Sequence, residues 1–239
     1  MKTPAVVLLP GLHGTGELFG RFVGAAPKDI QTISVDYPAN GSSFDDLELI
    51  AREKVVDPCI VLAESFSGPI GVRIASDERV RALVLCSSFA RSPSQLGRLA
   101  ISALFVIPFP AFLIRLFLSG AEADSSLTTA VQTAVRRLPA NTVARRIREV
   151  ARADEIRRLK ALRKPILYLR GTRDLLMSER SWNAIKRIRP DAGIARIQGP
   201  HMLLQASPRE CWSAILSFLE ESAASATSAH KGSKEGSRG

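Results

Sequence analysis

The sequence predicts an α/β fold, a mostly parallel six-stranded sheet covered by helices, with a helical lid inserted after the fourth strand. Three observations predict it. Short runs of apolar and β-branched residues recur along the chain, the pattern of strands buried on both faces. Stretches with helical spacing lie between them, and such alternation places helices on both sides of a parallel sheet. One long interval, from about Ser92 to Lys160, contains no strand pattern at all. The chain length of 239 residues suits a single domain of this kind.

The first strand is read at Val6–Leu9, followed by a glycine-rich turn from Pro10 to Gly16. Thr32–Val35 is the second strand and runs into Asp36-Tyr37-Pro38. Ser43 is placed as a helix N-cap, with Asp45 and Asp46 near the positive end of the helix dipole. Leu47, Ile50 and Ala51 give that helix an apolar face. Cys59–Leu62 is the third strand, Pro69–Ala75 a helix and Ala82–Cys86 the fourth strand. After the strandless interval the alternation resumes. Ile166–Leu169 is the fifth strand, Glu179–Ile188 a helix, and Gly193–Ile197 the sixth strand. A last helix spans Pro208–Glu221, with Ser207 as N-cap and Pro208 at its first position. The chain therefore divides into a core of residues 1–91 and 161–222, a helical lid of 92–160 and a tail of 223–239. The tail lacks aromatic and large aliphatic residues, cannot bury itself, and is expected to be disordered.

Cysteines are few and far apart (Cys59, Cys86 and Cys211), which argues against a disulfide framework and a cysteine metal site. No cofactor or metal is called for, because no cluster of His, Cys and carboxylates is apparent. Lys2 precedes only the short run Ala5–Leu9, which reads as a strand rather than a signal core. A cytoplasmic setting is expected. The longest apolar stretch, Leu99–Leu118, has the length of a membrane helix. Pro108 and Pro110 break it and Arg115 lies inside it, so it is read as a lid or interfacial segment and no transmembrane span is expected.

Ser65 carries the chemistry. In Leu62-Ala63-Glu64-Ser65-Phe66-Ser67-Gly68 it joins a buried strand to a helix, with small residues two before and two after it. A nucleophile elbow needs that spacing, because the sharp turn leaves room only for small side chains. Glycine is usual at those two places; here they hold Ala63 and Ser67. The loop Pro10-Gly11-Leu12-His13-Gly14-Thr15-Gly16 can aim the N–H of Leu12 at a developing oxyanion, and the N–H of Phe66 at the start of the elbow helix is the second donor. A phosphate-binding role for the loop fails on spacing, since neither Gly-Lys-Ser/Thr nor G-x-G-x-x-G is present. A serine hydroxyl needs a base. Of three histidines, His230 lies in the tail and His13 in the oxyanion loop, whereas His201 follows the sixth strand. It therefore stands at the sheet edge from which Ser65 emerges. Asp174, just after the fifth strand, is the acid that orients it, ahead of Glu179 and Asp191.

Together these features resemble the α/β-hydrolase family, over roughly residues 4 to 221. Asp36-Tyr37-Pro38-Ala39-Asn40-Gly41 is similar to the Asp-x-Pro-x-x-Gly that many members carry. The resemblance maps the family's nucleophile to Ser65, its acid to Asp174, its base to His201 and its oxyanion donors to Leu12 and Phe66. The chain looks like a small, lid-bearing serine esterase without the first two strands of larger members. The resemblance implies hydrolysis of a small acyl ester through a covalent acyl-enzyme. A thioesterase, a C–C hydrolase, a cofactor-free perhydrolase and a non-catalytic binding scaffold remain open.

The net charge of +10 is concentrated. Between Arg136 and Lys164 lie eleven Lys or Arg and three acids, a local net of +8. Arg145, Arg148 and Arg152 share one helix face by their i, i+3, i+7 spacing, with Arg137, Arg157 and Arg158 flanking it. They are either a solvated face or a surface for an acidic partner. The layout is similar to the pimeloyl-acyl-carrier-protein methyl ester esterases, which implies an acidic carrier protein as that partner. Nucleic acid is not expected, since no aromatic residues interleave with the arginines.

Overall fold

The computed structural model describes residues 3–40, 43–92 and 125–235, with side chains described between 126 and 225 in the last range. Six strands form one sheet: β1 (Ala5–Leu9), β2 (Thr32–Ser34), β3 (Cys59–Glu64), β4 (Val80–Cys86), β5 (Ile166–Gly171) and β6 (Gly193–Ile197). Their order is β2-β1-β3-β4-β5-β6 and every pairing is parallel. Alternate residues of each strand point to opposite faces. Val7, Leu9, Val61, Ala63, Leu83 and Leu85 pack on one side with α2 (Phe44–Glu53), α3 (Gly68–Ile74) and α7 (Glu179–Ile188). Val6, Leu8, Ile60, Leu62, Val84 and Cys86 pack on the other with α1 (Gly20–Gly24), α8 (Leu203–Ala206) and α9 (Pro208–Glu235). Phe22 of α1 stacks on Trp212 of α9 at 4.5 Å between ring centroids, closing that second layer.

The helical segment after β4 contains α4 (Ser125–Arg136), α5 (Ala140–Arg152) and α6 (Ile156–Ala161). Its two ends meet. Ser92 N–H donates to the Ala153 carbonyl and Glu155 N–H to the Ala90 carbonyl, both at 2.8 Å. Glu155, buried, accepts from Arg73 of α3 and Arg158 of α6 at 2.6 Å each, so the segment is pinned to the core. The apolar stretch Leu99–Leu118 lies outside the described residues. Among the described residues no helix is long and apolar enough to cross a membrane.

Ser43 caps α2 as its sequence implies, accepting from Asp46 N–H at 3.1 Å. Ser207, read as the N-cap of the last helix, donates its hydroxyl to the Gln198 carbonyl. The last helix does not end at Glu221; its backbone continues to Glu235. Lack of apolar residues precludes burial but not helix. A helix already packed through Trp212 and Ile215 extends residue by residue without a second nucleation, and the alanines of the tail favour it.

Candidate active site

Parallel strands deliver all their carboxyl ends to one edge of the sheet. The elbow follows β3 there. Ser65 adopts φ +47°, a left-handed conformation that a non-glycine residue holds only when its surroundings fix it. The surroundings are on both sides. The Ser65 carbonyl accepts from Ser88 Oγ at 2.5 Å, and Ser88 is itself bonded through its carbonyl to the Tyr168 hydroxyl at 2.7 Å. Ser67, where glycine is usual, is fully buried, donates to the Pro10 carbonyl and is 2.8 Å from the Tyr37 hydroxyl. Its hydroxyl thereby ties the elbow to the loop after β1, which explains why serine is accommodated there.

The structure brings the three sequence-predicted residues together. Ser65 Oγ is 2.9 Å from His201 Nε2, and His201 Nδ1 is 3.0 Å from both Asp174 oxygens. His201 and Asp174 are buried. Asp174 Oδ1 also accepts from Leu176 N–H at 2.9 Å and Met177 N–H at 2.8 Å. Burial works against the Asp174 charge. His201 and the Met177 N–H outweigh it, and hold the carboxyl below its ordinary value. Burial likewise works against a charged His201, but Asp174 and then Glu64 hold the imidazole above its ordinary value. Glu179 and Asp191 lie elsewhere, pairing with Arg170 and Arg189 respectively.

Leu12 and Phe66 line the same pocket as Ser65 and His201. Neither backbone N–H has an acceptor among the described residues. The rest of the pocket wall is mainly apolar, with Phe89 from the core, Val131, Val135 and Val150 from the inserted helices, and Leu176, Met177 and Met202 beside the Asp174 and His201 loops. Arg145, Arg148 and Arg152 are not in this pocket; all three are exposed on the outer face of α5.

Two features were missed by the sequence reading. Arg146, between the exposed arginines, is fully buried. It donates to the Leu12 carbonyl at 2.8 Å and the Pro38 carbonyl at 3.1 Å, and lies over the Tyr37 and Phe66 rings. The available signal was its place on the inner stripe of α5 with Val143 and Val150. The other feature is Glu64, buried beside Ser65 and facing His13.

Residues 6–214 match the sequence model of the alpha/beta hydrolase family. The chain belongs to that family. Family membership agrees with the strand order and with the elbow after β3. A comparison with curated proteins gives no match. Similar solved structures include a bromoperoxidase from Bacillus anthracis (TM-score 0.77, 17% identity, covering 91% of this chain and 92% of that one). An enol-lactonase from Burkholderia xenovorans LB400 has a TM-score of 0.77 at 15% identity, with 92% of each chain covered. An esterase from Exiguobacterium antarcticum has the same TM-score at 13% identity, again with 92% of each covered. At these identities the likeness is one of fold.

Proposed function

We propose that this member of the family is a serine hydrolase that cleaves carboxylic esters through an acyl-enzyme on Ser65. The observation that carries the reading is the continuous chain Ser65 Oγ–His201 Nε2–Asp174, with both links at hydrogen-bond distance. Asp174 accepts a hydrogen bond from Nδ1–H, which fixes the tautomer that leaves the Nε2 lone pair facing the serine hydroxyl. Ser65 Oγ adds to the ester carbonyl as His201 takes its proton. The resulting oxyanion accepts from the Leu12 and Phe66 N–H groups. Collapse expels the alcohol, which leaves with the proton held by His201. Water then repeats the addition with His201 as base and releases the acid. The apolar pocket wall suits an acyl chain, and the helices after β4 that supply part of it act as a lid.

A fluorophosphonate probe tests the reading. The full-length protein should gain the mass of one phosphonyl group on Ser65, and Ser65→Ala should gain none. Equal labelling of both proteins, or none of either, would overturn it. A panel of p-nitrophenyl esters from acetyl to palmitoyl then measures the depth of the pocket.

One observation favours a narrower reading. The inner face of α5 contributes Val150 to the pocket while its outer face presents Arg145, Arg148 and Arg152 to solvent. A basic surface directly above a site suits an acyl chain tethered to an acidic carrier protein. Carrier-bound methyl ester should then be hydrolysed faster than free methyl ester at low salt, with the advantage lost at high salt. Equal rates at both would remove this reading and leave the esterase intact.

A further inference from the structure

The pocket beside Ser65 is apolar except at one place. His13 follows Leu12 in the loop after β1, and Glu64 precedes Ser65 in the elbow, so the two side chains flank the oxyanion donor and the nucleophile. Both line the pocket. Both are more than nine-tenths buried, with side-chain exposures of 8% and 3%.

Their hydrogen bonds are half complete. His13 Nδ1 accepts from Thr15 N–H at 3.2 Å, so the neutral ring carries its proton on Nε2. Glu64 Oε1 accepts from Gln205 Nε2 at 2.9 Å. His13 Nε2 and Glu64 Oε2 have no hydrogen-bond partner among the described residues. They stand 3.7 Å apart, too far to bond each other. Gly11 keeps the space beside them open: a Cβ there would lie 3.2 Å from His13 Nε2 and 3.5 Å from Glu64 Oε2. A buried donor and a buried acceptor left without hydrogen-bond partners each cost free energy, and a polar group placed between them would complete both.

The chemistry of that group follows from the pair. A carbonyl oxygen would satisfy His13 and oppose the carboxylate. An ammonium would satisfy Glu64 and meet an N–H at His13. A carboxylate would be repelled by Glu64. A hydroxyl accepts from one and donates to the other through a single oxygen, and an oxygen about 2.8 Å from both atoms spans a 3.7 Å gap. We infer that His13 and Glu64 form a hydroxyl-binding subsite, and that the preferred substrate is an ester bearing a hydroxyl group within a few atoms of its scissile carbonyl. The inference rests on the esterase reading of Ser65. A bound water has the same chemistry, and the experiment separates the two.

Ethyl butyrate, ethyl 2-hydroxybutyrate, ethyl 3-hydroxybutyrate and 2-hydroxyethyl butyrate are compared by pH-stat titration of the full-length protein. At least one hydroxylated ester should exceed ethyl butyrate in kcat/KM by about tenfold or more, since a buried site built for a hydroxyl discriminates against its absence. In Glu64→Gln that ratio should fall to about one, whatever happens to the absolute rates. A wild-type ratio of one or less for every hydroxyl position assigns the place to water and overturns the inference. So does a preference that Glu64→Gln leaves intact. The same esters titrated onto Ser65→Ala, followed by saturation-transfer NMR, read the subsite without turnover. There the hydroxylated ester should bind about tenfold more tightly, and equal binding overturns the inference. Loss of fluorophosphonate labelling at Ser65 would instead count against the esterase reading.

Discussion

Arg146 offers the sharpest test of how the inserted helices serve the site. Its guanidinium is fully buried, and burial pushes it down to about 10, well below the ordinary arginine value, with Tyr37 opposing. That displacement corresponds to roughly 3 kcal/mol against the charged form. Against it stand the bonds to the Leu12 and Pro38 carbonyls, at about 1.5–3 kcal/mol each for a charged donor. Arg146→Met removes the penalty and the bonds together and leaves two carbonyls without that donor, so stability should fall by only about 1–3 kcal/mol. The kinetic effect should be larger. Leu12 is a proposed oxyanion donor, and losing such a donor outright costs about 10²–10³ in kcat. Loosening the loop that carries it should lower kcat roughly 10–100-fold with KM changed less than about threefold. Arg146→Lys can reach one carbonyl but not both, and should fall between. Urea unfolding followed by the fluorescence of Trp182 and Trp212 gives the stability, and steady-state hydrolysis of a p-nitrophenyl ester gives the kinetics. A folded Arg146→Met protein with kcat within twofold of wild type would refute the link between α5 and the oxyanion loop.

Three further outcomes are expected. In the proposed mechanism His201 must be neutral to act as base, and Asp174 and Glu64 hold it above the ordinary imidazole value despite burial, so kcat/KM should fall as pH drops through that raised value. Glu64→Gln removes one of the two acidic groups that raise it and should move this acid limb to lower pH; a limb that Glu64→Gln leaves in place contradicts the assignment. Asp174→Asn offers His201 a donor in place of an acceptor and favours the tautomer whose Nε2 proton faces Ser65, so kcat should drop about 10⁴-fold while urea unfolding still shows a folded protein; a loss under tenfold would argue that another group orients the base. Gly68 sits where a Cβ would overlap the Ser88 hydroxyl and the Phe89 carbonyl, and because the latter is backbone, Gly68→Ala should lower stability by about 1–3 kcal/mol and weaken labelling of Ser65. Unchanged melting would show that the end of β4 is free to move.

The fold and the three aligned residues were legible because they depend on strand ends alone. Alternation fixes a parallel sheet, and a parallel sheet sends the residues after β3, β5 and β6 to one edge. Ser65, Asp174 and His201 could thus be grouped without knowing a single contact. Arg146 and Glu64 could not. Both are charged, and a charged residue with no visible partner is read as exposed. Their partners are remote: Leu12 lies 134 residues from Arg146, and Gln205 lies 141 residues from Glu64. Only tertiary packing creates the burial that gives them meaning.

The strand order explains why the site stands where it does. β1 has β2 on one side and β3 on the other, so chain order reverses across β1 and β3. The connections leaving the two strands depart towards opposite faces and open a crevice between them. The Leu12 loop follows β1 and the elbow follows β3, and the two strands pair in register up to Leu9 and Ala63. The proposed oxyanion donors therefore face each other across the crevice by topology, before any side chain is specified. His201 and Asp174 come from the far side and must cross the end of β4 to reach Ser65. That end is built of small residues, Ser87 and Ser88, and Ser87 turns through φ +46°. Ser88 then bonds the Ser65 carbonyl. The turn after β4 is thus low enough for His201 to reach Ser65, and through Ser88 it holds Ser65 at its left-handed φ. Bulky side chains at Ser87 or Ser88 should therefore slow fluorophosphonate labelling of Ser65 even though neither serine belongs to the proposed triad.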